Sequence, residues 1–240
     1  MIFSSISITS AQMIQSGVYK LERAKTTLTD YGSIRKITEG MTRDFKEMEI
    51  TYLTLNRQAK YSIHKKPEKM VIVHTGRLWI TIDSKEYVLG SGSVMVLPPG
   101  SSFTVQNNFV DPASFYLFQY IANDKTKKDD FQPIVKNWDD IEFKPHDKGG
   151  IRNFFDVETP ECKKFEMHVT NLNAGIKSHE PHTHRAAEFV LMFDGNAEME
   201  IDGEIYESEA SDLYFLESEI SHAIKNIGSE QCQYFAFQME

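Results

Sequence analysis

Several short stretches of this chain alternate between apolar and polar residues with a period of two. Ala197, Met199 and Ile201 alternate with Glu198, Glu200 and Asp202, and Leu78, Ile80 and Ile82 repeat the pattern earlier. Strand side chains point to opposite faces in turn, so both stretches predict half-buried β-strands. Continuous apolar runs at 189–193, 213–216 and 234–237 have the length of buried strands, not of helices. Asp202-Gly203 and Asp83-Ser84 follow the alternating stretches, where hairpin turns are expected. Many short strands, aromatic enrichment and few helical periods predict an all-β sandwich or barrel.

The pattern occurs twice. A shift of 119 positions aligns Gly76 with Gly195, Ile82-Asp83 with Ile201-Asp202, Tyr87 with Tyr206, Asn107 with Asn226 and Phe118-Gln119 with Phe237-Gln238. Upstream, the stretch 49–56 aligns with 166–173 at a shift of 117, so the first copy is two residues shorter between Asn56 and Gly76. A period this long predicts a duplicated domain, not a solenoid. The expected organisation is an N-terminal extension at 1–45, a first barrel at 46–122, a charged linker with supporting strands at 123–160 and a second barrel at 161–240. Residues 13–45 are expected to add strands over an outer face or a neighbouring subunit.

Charge narrows the partners. The chain of 240 residues carries a formal net charge of -9, and its basic runs, 64–66 and 125–128, are short, which argues against nucleic acid. No apolar run is long enough for a transmembrane helix. Cys162 and Cys232 are too few for a disulfide framework and are read as free thiols. Met1–Ala11 is uncharged and moderately apolar but has no basic start. Two readings stand: a clipped secretory signal, which implies a periplasmic or secreted protein, or a loose N-terminal segment of a cytoplasmic one.

Candidate chemistry concentrates in the second copy. His182, His184 and Glu188 share sequence parity, so in an extended segment they project from one face; His222 follows later. Imidazole and carboxylate suit Mn, Fe, Ni, Zn or Cu, and four such ligands leave room in an octahedral shell for water or substrate. Arg185 has the opposite parity to His184 and is expected to point away.

The stretch from Gly175 through His182, His184 and Glu188 to Gly195 resembles the first motif of the cupin family, and Leu216–Asn226, with His222 and Asn226, resembles the second. The chain departs from the family at Glu217-Ser218-Glu219, where a Pro-x-Gly turn is usual. In the first copy the turn is present as Pro98-Pro99-Gly100, but Ile63, Lys65, Lys69 and Phe103 stand at the four ligand positions. His64, Glu68 and His74 do not compensate and are read as surface or packing residues.

The resemblance implies tandem double-stranded β-helix (jelly-roll) barrels, a bicupin, with one divalent transition metal in the C-terminal barrel only. It further implies a small-molecule substrate and a homodimer. Cupins include dioxygenases, decarboxylases, isomerases, lyases, hydrolases and non-catalytic binders, so the reaction stays open. The expectation is an enzyme acting on a small polar organic acid or sugar-like substrate. The alternatives are a binding or sensor protein, and an activity like that of the ureidoglycine-processing bicupins. Glu188 could also shuttle a proton. Candidate substrate contacts are His179, Tyr214 and Met192, with Val190, Met199 and Ile201 as an apolar wall; Tyr234 is a further hydroxyl, and His168 is expected to pack within a strand.

Overall fold

The computed structural model describes residues 12–64 and 66–240, with the side chain of His64 outside that description. The readings placed on Met1–Ala11, on Lys65 and on the His64 side chain therefore lie outside the described residues. The first copy holds β1 (Gly17–Tyr19), β2 (Thr26–Thr29), β3 (Gly32–Gly40), β4 (Phe45–Leu55), β5 (Lys60–His64), β6 (Glu68–Thr75), β7 (Arg77–Ile82), β8 (Lys85–Gly90), β9 (Val94–Leu97), β10 (Ser102–Gln106) and β11 (Ala113–Ala122). The second holds β12 (Ile134–Lys136), β13 (Lys144–His146), β14 (Gly149–Val157), β15 (Phe165–Leu172), β16 (Ala187–Asp194), β17 (Ala197–Ile201), β18 (Glu204–Ser208), β19 (Leu213–Leu216), β20 (His222–Asn226) and β21 (Cys232–Met239). Among the described residues there is no α-helix, only single 3-10 turns at Leu21–Arg23 and Trp138–Asp140.

Each copy folds as a barrel of one large and one small sheet. The first pairs β5-β10-β7-β8 against a seven-stranded sheet; the second pairs β18-β17-β20 against another of seven strands. Both predicted hairpins form, and Asp83, Ser84, Asp202 and Gly203 take positive φ as a two-residue turn of this hand requires.

The segments read as extension and linker are themselves repeated. β1 and β12, the two 3-10 turns, and Gly32 and Gly149 at the starts of β3 and β14 are each 117 residues apart. β2 and β3 extend the first sheet as β13 and β14 extend the second. The leading strands are exchanged: β1 pairs with β19 of the second barrel, and β12 with β9 of the first. This exchange ties the barrels together within one chain.

Three apolar cores result. One fills the first barrel, around Leu78, Ile80, Phe103 and Phe115. One fills the second, around Val190, Met192, Met199 and Tyr234. The third lies between the two large sheets, where Phe118, Phe189 and Phe237 meet edge-on or stacked at 5.3–5.9 Å between ring centroids. Burying one such ring stabilises by roughly 1.5–3 kcal/mol, so this middle layer is a core and not a loose interdomain contact.

Candidate metal centre

His182, His184 and Glu188 do converge, but not because they lie on one extended strand. β16 begins at Ala187, and 183–186 is irregular. His182 is held by a single bridge to His222, its N–H donating to His222 O at 3.2 Å and its carbonyl oxygen accepting from His222 N–H at 3.0 Å. His184 O accepts from Glu219 N–H at 2.9 Å. The ligand loop is thus fastened to β20 and to the 217–219 turn, and it curls back onto Glu188. The irregular segment replaces the extended one assumed from parity.

The ligand atoms of His182, His184 and His222 all lie within 4.8 Å of one another. Glu188 Oε2 is 2.8 Å from His184 Nε2 and 3.3 Å from His222 Nε2. The tautomers follow from the other ring nitrogens. His184 Nδ1 lies 2.7 Å from Ala186 O and His222 Nδ1 lies 2.9 Å from Ile220 O. A carbonyl only accepts, so both Nδ1 atoms donate, and in the neutral rings each Nε2 presents a lone pair. Those lone pairs face a carboxylate oxygen, acceptor against acceptor, and His222 Nε2 is buried without a hydrogen bond. Only a proton or a cation between them satisfies this arrangement. Separations of this size also match adjacent ligands around one ion with bonds of about 2.1 Å. The residues fit a divalent metal.

The charge state agrees. Burial alone would raise the Glu188 carboxyl, but the imidazoles of His184 and His222 outweigh it and hold it at about 2. Bonding to Glu188 raises His184, whereas burial and its imidazole neighbours lower His182.

His179 is half-buried, with its ring 4.2 Å from that of His182, and its Nδ1 lies 3.1 Å from Glu180 O. It stands at the edge of the cluster. Met192 belongs to the barrel interior with Val190, Met199 and Ile201. The Tyr214 hydroxyl donates to Tyr206 O at 2.7 Å and to Ala197 O at 3.3 Å. It pins the β17–β18 hairpin. Tyr234 is tied to Ser178 and Thr170, and His168 lies 3.5 Å from Glu166 within its strand.

Sequence reading missed the contacts that hold the loop from outside. Arg185 makes two hydrogen bonds of 2.7 Å to Asp44 of the first copy, and Arg43 donates to Ser218 at 3.0 Å. Asp44 has an acidic counterpart, Glu161, 117 residues on, and that repeat was the available signal.

A sequence model of the cupin domain matches residues 168–237. No curated protein matches the chain by sequence. Among solved structures, the protein Ylba from E. coli superposes with a TM-score of 0.74 at 15% identity, covering 97% of this chain and 95% of that one. AerE from Microcystis aeruginosa gives 0.71 at 14%, covering 90% and 97%. A structure concerned with the Mn(II) centres of Bacillus subtilis oxalate decarboxylase gives 0.72 at 14%, covering 97% of this chain and 79% of that one. At these identities the likeness speaks for the fold. The cupin match is seated on the barrel that carries the histidines, and the whole chain has the bicupin fold of tandem jelly-roll barrels.

Proposed function

We propose that this bicupin is a metal-dependent enzyme. It acts on a small polar organic acid or sugar-like molecule at a divalent ion held by His182, His184, Glu188 and His222. The observation that carries this reading is the convergence of two imidazole lone pairs on the Glu188 carboxylate, with His222 Nε2 buried and unbonded. An ion bound there supplies Lewis-acid polarisation and a coordination position for a substrate oxygen.

The chain's own residues prepare that position. Ala186 O and Ile220 O fix the tautomers of His184 and His222, so both rings keep a lone pair inward. Glu188 stays ionised and offsets the charge of a bound cation. Val190, Met192, Met199 and Ile201 form an apolar interior, which strengthens electrostatic interactions at the ligands by excluding water. His179, beside His182, places a polar ring where a substrate would enter.

The test is to strip the protein with a chelator, reload it with Mn²⁺ or Zn²⁺, and measure bound metal by mass spectrometry. A panel of keto acids, uronates and ureides is then assayed for turnover. Wild type is expected to bind the ion stoichiometrically and to turn over one substrate class only when loaded; His222→Ala is expected to retain trace metal. Tight binding of one compound without turnover would replace the enzyme with a binding protein. Absence of metal from reloaded wild type would sink the reading altogether.

A further inference from the structure

The first copy has lost the ligand positions, yet it touches the loop that carries them in the second. The connection between β3 and β4 brings Arg43 and Asp44 to the peptide between His184 and Glu188. Asp44 takes the Arg185 guanidinium in a fork of two 2.7 Å bonds, the geometry that most restricts both partners. Ser218 connects the other side: its hydroxyl accepts from Arg43 Nη1 at 3.0 Å and donates to Arg185 O. Arg43 N–H also reaches Glu217 Oε2 at 3.4 Å, and Glu217 N–H donates to Ser16 at 2.9 Å. Residue 185 is therefore held at its side chain and at its carbonyl.

The consequence runs through the next residue. Ala186 O is the acceptor that fixes the His184 tautomer, and it lies one peptide from the held carbonyl. A shift of that peptide tilts the His184 ring or frees its Nδ1 proton. We propose that Asp44 and Arg185 are positioning residues through which the first copy sets the metal affinity of the second. This rests on the reading of His182, His184, Glu188 and His222 as ligands. It gives the metal-free copy a task at the centre: buttress of the ligand loop.

The second copy shows what the connection does without such a task. Its equivalent between β14 and β15 carries Glu161 in place of Asp44. There, Glu161 takes the Ala122 N–H at 2.8 Å and pairs with the largely exposed Lys125 at 2.6 Å. Position 66, which corresponds to Arg185, is an exposed lysine. Among the described residues, the fork between an acid and this loop is found in the barrel that carries the histidines and not in the other.

Mn²⁺ and Zn²⁺ dissociation constants, measured by competition with a chromophoric chelator on the full chain, test this. Loss of groups that orient metal ligands weakens metal binding by about 10–100-fold. Acting one peptide further away, Asp44→Ala is expected at the lower end, about tenfold. Asp44→Glu is expected to recover most of the affinity, and Arg185→Lys, with one donor in place of a fork, to fall between. The unfolding midpoint of the metal-free protein is expected to stay at the wild-type value, which separates positioning from a plain structural contact. Wild-type affinity in Asp44→Ala overturns the proposal while leaving the ligand assignment standing. So does an affinity loss matched by partial unfolding of the metal-free variant. Wild type that binds neither ion overturns both.

Discussion

The two barrel mouths differ in one stretch of chain. Between β4 and β6 the first barrel has a regular strand, β5, paired with β10 through five residues. Between β15 and β16 the second has a loop, attached to β20 by isolated bridges at Lys177–Lys225 and His182–His222. The registers coincide: Ile63 faces Phe103 in the first barrel as His182 faces His222 in the second. Two apolar residues facing each other extend the core, and a regular strand suits them. Two imidazoles must share a focus with His184 and Glu188, and a strand whose side chains alternate across two faces does not supply that curvature. Irregularity at the second mouth is what the proposed ligand set requires, and the two extra residues lie in that stretch.

The charge at the centre is inverted as well. Lys69 occupies the place of Glu188, fully buried, and its ammonium donates to Pro67 O at 2.8 Å and Ser101 O at 3.2 Å. The first barrel carries its cation covalently. Lys69→Glu separates the two designs most strongly. A carboxylate there faces two carbonyl oxygens, and a buried charge without a partner costs about 3–5 kcal/mol. Urea unfolding is expected to show that loss, and added Mn²⁺ is expected not to reverse it, because Ile63 and Phe103 offer no lone pair. Recovery of stability with metal would show that the first barrel still holds an ion.

The acid next to Lys69 gives the second contrast. Glu68 is buried, accepts from Tyr120 OH at 2.8 Å and from Glu161 N–H at 3.3 Å, and is pushed up to about 7, chiefly by burial. Its counterpart in the second barrel is Ala187, which carries no charge. Relative to its unperturbed value of 4.5, Glu68 binds its proton more tightly in the folded state. Its contribution to stability is therefore complete below pH 4.5 and is lost as pH rises through about 7. The loss amounts to at most about 3 kcal/mol. Glu68→Gln is expected to flatten the stability profile between those pH values and to exceed wild type at pH 8. An unchanged slope in that window would assign it to other groups.

What the sequence makes legible follows from this division. The features that align at a constant shift are those both barrels need. Gly76 and Gly195 sit at positive φ in turns where a Cβ would press on Ala113 or Cys232. Asn107 and Asn226 are both buried, and each donates from Nδ2 to two carbonyls across its turn. Repeat and alternation thus reveal the barrels and point to the histidine cluster of the second. The shape of the ligand loop was not legible, since parity speaks only for a regular strand. Nor was the strand exchange: β1 and β12 are three residues long, and their partners are chosen by the meeting of whole sheets, not by local pattern. The Asp44–Arg185 fork links positions 141 residues apart, which no local periodicity reports.

The smallest contrast is the turn in which the second barrel departs from the usual Pro-x-Gly. Glu219 stands 119 residues after Gly100 and keeps its left-handed backbone, φ 63° against 81°. The turn geometry survives without glycine. Its N–H still donates to the ligand loop at His184 O, as Gly100 N–H donates to Lys66 O in the first barrel at 3.2 Å. A Cβ at Gly100 would meet nothing within 4 Å, so the only penalty at such a position is the backbone conformation. For a residue other than glycine that penalty is about 1 kcal/mol. Glu219→Gly is expected to stabilise the protein by up to that amount and Gly100→Glu to destabilise it equally, both read from denaturant midpoints. Metal affinity is expected to stay unchanged in each, because the bond to His184 O comes from the backbone. A drop in affinity in Glu219→Gly would mean that the Glu219 side chain itself steadies the loop, alongside Ser218 and Arg185.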